Sequence, residues 1–212
     1  MSAFGIVQHA LAATPYDEVL SAFKSVQTEH KELDDLLARP DGTALLADGR
    51  AASLLRQAQN PLELFRRAVE LKNDGYFFGA KPEQFDPKTP PPSYGEHMRL
   101  FKLLLLDAKV ASLRKQRPSA ERDLLAVMGF LIQASEQKFG ALYSGIVVQL
   151  CLQKGSIMLA RSIQGSAPSD LYLKESSRRL NRLAENQDLM EAAYVEEGEN
   201  SKGLTRHSLS PN

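Results

Sequence analysis

A single spacing constrains this chain most. Tyr16, Val19, Leu20, Phe23, Val26, Leu33, Leu36 and Leu37 recur at intervals of three and four, which is the period of a helix with one buried face. Thr14-Pro15-Tyr16-Asp17 opens the series: threonine can cap, proline fits the first helical turn, and an acidic residue suits the positive end. Pro40, Asp41 and Gly42 close it, so one helix is expected between these signals. Strand-like alternation is nearly absent elsewhere, and an all-α fold follows.

The same punctuation divides the rest of the chain. A short helix is expected from Gly49 to Gln59 with Leu54 and Leu55 inward. Asn60-Pro61-Leu62-Glu63 starts another, with Leu62, Phe65 and Val69 on one face and Gly75 at its end. Ser93-Tyr94-Gly95-Glu96 has capping-box spacing ahead of an apolar run, so a helix should leave Ser93 and reach about Gln116. Its four consecutive leucines, Leu103 to Leu106, cover more than one stripe, which suits a central helix touching neighbours on both flanks. Arg117-Pro118-Ser119 is expected to break it, with Ser119 capping a helix that turns Leu124, Leu125, Met128, Leu131 and Ile132 inward. A further helix should run to about Gln164, through Gly145 and Gly155. After Pro168-Ser169-Asp170 another should present Leu171, Leu173, Leu180 and Leu183. Leu104, Leu105, Leu125, Met128 and Leu150 are expected to share the core.

The stretch from Leu103 to Glu136, LLLLDAKVASLRKQRPSAERDLLAVMGFLIQASE, places Ala108, Ala111 and Ala120 where two helices would meet. It loosely resembles one tetratricopeptide-type helix pair. The turn is basic, however, the aromatic and glycine positions of that family are not filled, and no second copy follows at its period. A generic antiparallel pair is the expectation.

Residues of about 74–92 form a long loop. Gly75, Gly79, Pro82, Pro87 and Pro90 to Pro92 interrupt any periodicity, while Tyr76, Phe77, Phe78 and Phe85 favour packing onto the helices. The loop is therefore expected to be ordered rather than a hinge, delivering the chain in extended form to Ser93. Pro91-Pro92-Ser93-Tyr94 also has the P-P-x-Y shape that aromatic grooves read in extended peptides, although a helix beginning at Tyr94 would hide it. Residues 1–197 are expected to form one helical domain, and the polar Gly/Ser-rich stretch 198–212 a disordered tail.

Composition narrows the function classes. Lys+Arg and Asp+Glu number 26 each, which argues against a chain-wide field for nucleic acid or an anionic membrane. The longest uncharged run, Phe139 to Gln153, is shorter than the roughly 20 residues of a membrane span. The first residues lack a basic segment ahead of their apolar stretch, so no signal peptide is expected and a cytoplasmic location is. The single cysteine, Cys151, lies in an apolar run and reads as a small buried hydrophobe.

Candidate chemistry is sparse. His30 and Asp34 stand four apart on one helix face, but a convincing metal site needs at least three ligands. His9, His97 and His207 are scattered and fit no nucleophilic triad. Lys174, Arg178, Arg179 and Arg182 form a basic face that pairs with Glu175 and Glu185. Two functions follow as expectations. The first is a helical protein-interaction module, binding another protein or itself, with no cofactor and no metal. The alternative is a helical enzyme or small-ligand binder, with a pocket between the 74–92 loop and the helix that starts at Ser93. Tyr76, Phe78, Tyr94, His97 and Arg99 are the candidate ligand or partner surface.

Overall fold

The computed structural model describes residues 15–39, 42–71, 94–136 and 168–185, and every regular element among them is a helix. The 74–92 loop, the helix through Cys151 and Leu150, Ser93 and the tail lie outside the described residues.

Helix α1 (Pro15–Phe23) carries Pro15 in its first turn, with Asp17 and Glu18 at the positive end. Tyr16, Val19 and Phe23 are all buried. The single helix expected from Tyr16 to Leu37 is in fact two, because α2 begins afresh (His30–Ala38). The physical reason lies in residues 24–29. Ser25 turns its hydroxyl back onto the Ala22 carbonyl at 3.0 Å, and Glu29 is extended at φ −115°, ψ 155°. Ser25, Val26 and Thr28 are poor helix formers that compete with or crowd the ladder. The carbonyls released by the break find cations: Arg99 donates to Thr28 O at 3.0 Å and Arg50 to Gln27 O at 3.3 Å. The break lets Val26, Leu33 and Leu36 all turn inward.

Arg39 ends α2 with φ −57° and ψ 121°, a conformation imposed by the proline that follows it. A short helix α3 (Gly42–Ala47) follows, which periodicity does not reveal because it is little more than one turn. Asp48 then caps α4 (Gly49–Gln57), accepting from Arg50 N at 2.8 Å and Ala51 N at 3.0 Å. Leu54 is buried, while Leu55 is half-buried at the core's edge. Helix α5 (Gln59–Glu70) starts one residue before the expected Asn60 and buries Leu62, Phe65 and Val69.

Helices α6 (Tyr94–Leu113) and α7 (Arg117–Glu136) form the largest packed pair. Leu100, Phe101 and Leu103 to Leu106 are all buried, so α6 is covered on several sides and packs against α1, α2, α3, α5 and α7. The turn between α6 and α7 is Arg114–Gln116, not the expected Arg117–Ser119. Gln116 N donates to Ala111 O at 2.8 Å and Lys115 N to Ser112 O at 3.0 Å, a Schellman closure that places Lys115 at φ 58°. Arg117 and Pro118 belong to the first turn of α7, where a missing N–H costs no helical bond. Ser119 is therefore inside the helix, and its N–H reaches Gln116 O at 3.1 Å. Leu124, Met128, Leu131 and Ile132 are buried as expected, Leu124 beside Ala108 and Tyr172, but Leu125 is only half-buried.

The last described helix, α8, spans 170–185. Ser169 Oγ accepts from Tyr172 N at 3.2 Å and is itself held by Glu121 at 2.7 Å. Its buried seam is Tyr172, Ser176 and Leu183. The expected leucine face is overturned at three positions: Leu171, Leu173 and Leu180 are 78%, 46% and 44% exposed. Arg179 takes the inward position between Ser176 and Leu183, donating to Leu125 O at 2.7 Å and to Glu70 at 3.0 Å.

An aromatic cluster ties the centre together. Tyr16 and Phe65 meet edge to face at 6.0 Å, and Phe130 stands 5.3 Å from Phe65 and 5.5 Å from Phe101. Gln133 of α7 accepts from the Tyr16 hydroxyl and donates to Val69 O at 2.9 Å and Leu71 O at 2.8 Å. One side chain thus satisfies the end of α5 and orients α1.

Candidate functional site

The α1–α2 connection, α2 and the start of α4 enclose an open groove of about 740 Å³. Val26 and Leu36 form its apolar floor, and Glu29, Lys31, Glu32, Asp35, Arg39, Asp48, Arg50 and Arg99 supply charge. Two ion pairs brace the walls. Arg50 binds Glu32, with a second contact at 3.1 Å, and Arg39 binds Asp48. The Arg50 hydrogen bond holds the Glu32 carboxyl below its usual range, and Glu32 in turn raises Arg50. Asp48 is likewise lowered, chiefly by the Ala51 N–H that it caps. Glu29, Lys31 and Asp35 remain exposed along the groove.

A row of cations on α6 seats α2 at this position. Besides the Arg99 contact with Thr28, Lys102 Nζ approaches Asp34 Oδ2 at 2.8 Å and His30 Nδ1 at 3.5 Å. Lys109 Nζ donates to Leu37 O and Arg39 O, both at 2.8 Å, and so closes the carbonyl end of α2. His30 and Asp34 therefore hold a lysine between them. Burial, then Lys102, lowers the His30 imidazole. Among the described residues no three His, Cys, Asp or Glu side chains are grouped to hold a metal, and no helix is long and apolar enough to cross a membrane.

The expected surface residues separate. Arg99 lines the groove, stacked 5.4 Å from the Phe23 ring centroid. His97 is buried in the aromatic cluster, 5.4 Å from Tyr16 and 6.5 Å from Phe130, so it faces the core. Tyr94 begins α6, while Tyr76, Phe78 and the P-P-x-Y prolines lie outside the described residues. The groove residues of α2 escape sequence reasoning because charged positions on a helix ordinarily read as a solvated face; the break after Phe23 is the signal that would have exposed them.

A second charged cluster lies at the junction of α5, α6 and α7. Arg66 Nε donates to Asp123 Oδ1 at 2.7 Å, and its Nη2 to Asp107 Oδ2 at 2.6 Å. Glu63 stands 3.3 Å from the same guanidinium. Asp123 is fully buried. Compared with known family models, curated proteins and solved structures, the chain shows no significant match to any of them.

Proposed function

We propose that the chain is a helical protein-interaction module, a bundle built around α6, whose α2–α4 groove receives a polar segment of another protein. The observation that carries this reading is the composition of the groove walls. Small-molecule pockets are predominantly apolar with a few convergent polar groups. Here eight charged side chains surround two apolar ones, and the Arg50–Glu32 and Arg39–Asp48 pairs hold the walls in place. A preformed polar surface loses little freedom on binding and discriminates by charge pattern. Exposed Glu29, Lys31 and Asp35 would read that pattern.

A native pull-down with the full chain tests it, comparing wild type with Glu29→Lys/Asp35→Lys. A partner retained by the wild type and lost from the double variant at unchanged melting temperature is expected. Equal retention by both proteins would overturn the assignment of the groove. Stabilisation of a monomer by a nucleotide or small metabolite, without any protein partner, would favour a ligand-binding role instead.

A further inference from the structure

We propose that Asp123 and Arg66, with Asp107 and Glu63 around them, form a proton-operated clamp on the α5–α6–α7 junction, tight when Asp123 holds a proton and looser when it ionises. Three carboxylates from three helices converge on one guanidinium: Glu63 from α5 at 3.3 Å, Asp107 from α6 at 2.6 Å and Asp123 from α7 at 2.7 Å. Among the described residues two further cations stand at the edge of this cluster: Arg122 of α7, 3.8 Å from both Glu63 and Asp123, and Arg67 of α5, 3.8 Å from Glu63, both largely exposed. From α8, Arg179 bonds Glu70, Glu175 and the Leu125 carbonyl. Inward of Arg67 and Arg122, Asp107 and Asp123 share the one guanidinium of Arg66.

The least favourable place for the second of these charges is Asp123, which is fully buried and whose Oδ2 has no hydrogen-bond partner. A buried carboxylate oxygen without a donor is disfavoured in its charged form, and a neighbouring like charge disfavours it further. One proton on Asp123 Oδ2 removes that buried charge and leaves Oδ1 free to accept from Arg66. In keeping with this, burial pushes the Asp123 carboxyl up to about 7, against the pull of Arg66 and with the push of Asp107. The folded chain therefore binds a proton that the unfolded chain, with an ordinary aspartate near 4, has already released. Stability contributed by this group is full below the unfolded value and declines as pH rises through the folded one.

Two measurements on the full chain decide the proposal. The first is the Asp123 carboxyl carbon resonance, assigned through its own Cβ, followed against pH. It should titrate near neutrality, well separated from the exposed acids; titration with them near about 4, or none at all, would overturn the clamp. The second is the urea midpoint between about pH 5 and about pH 8 for wild type and Asp123→Asn, the amide standing in for the protonated acid. The wild-type midpoint should fall across this range more steeply than that of D123N. Equal slopes would contradict the proposal. If D123N does not fold, the wild-type resonance decides alone.

Discussion

Lys102 Nζ lies 2.8 Å from Asp34 Oδ2, joining α6 to α2 across 68 residues of chain. Three residues before it Arg99 holds Thr28 O, and seven after it Lys109 holds Leu37 O and Arg39 O. These contacts are not equivalent. Asp34 is 43% exposed and can return to water when its partner is removed. The two carbonyls at the end of α2 depend on Lys109 for neutralisation of the negative helix end. Lys102→Met should therefore cost less than about 1 kcal/mol, and Lys109→Met about 1–3 kcal/mol. Urea melts of the two variants check the order; a larger loss for Lys102→Met would contradict it.

Lys115 stands at φ 58° in the Schellman turn, a position that glycine fills without steric cost. Lys115→Gly should stabilise the chain by about 0.5–1 kcal/mol, the relief of the left-handed strain outweighing the added freedom of the unfolded state. Thermal or chemical denaturation reads this directly, and a loss of stability would show that the lysine side chain contributes something that the backbone does not reveal.

Gln133 serves Tyr16, Val69 and Leu71 at once. Gln133→Leu keeps the approximate shape but removes its hydrogen bonds to the buried Tyr16 hydroxyl and to the carbonyls at the end of α5, so it should cost about 2–4 kcal/mol. Tyr16→Phe alone should cost about 1 kcal/mol, and the double variant should lose less than the sum. Strict additivity in this cycle would mean that the two side chains do not act as one network.

Acid should loosen α8. Hydrogen bonds from Arg178 and Arg179 lower the Glu175 carboxyl to about 2. Its folded value lies below its unfolded one, so its contribution is present above about 4.5 and is lost as pH falls through about 2. Glu175→Gln should flatten the acid limb of the stability profile, while the neutral limb keeps the slope assigned to Asp123.

Much of this fold is legible from spacing. The leucine run of α6 and the inward Met128, Leu131 and Ile132 of α7 follow from helical period alone, because long apolar helices leave few alternative faces. Three features do not. The stripe from Tyr16 to Leu37 continues smoothly through residues 24–29, where Ser25, Val26 and Thr28 favour a break only weakly and Arg50 and Arg99, distant in sequence, complete it by taking up the freed carbonyls. The α8 leucines lose to Tyr172, Ser176 and Arg179 because Glu70 and the Leu125 carbonyl accept the arginine. Arg66 and Asp123, 57 residues apart, carry no mark of burial until α5 and α7 are side by side. Of the expected site residues Arg99 belongs to the groove, whereas His97, one polar residue among apolar neighbours, completes an aromatic core.

Site-specific photo-crosslinking shows whether the α2–α4 groove is the face that docks a partner. A crosslinking residue at position 35, on the groove side of α2, is compared with one at position 181, on the exposed side of α8. Position 35 should capture a discrete protein partner under native conditions, and position 181 should capture none. Capture of the same partner from 181 but not from 35 would contradict docking in the groove.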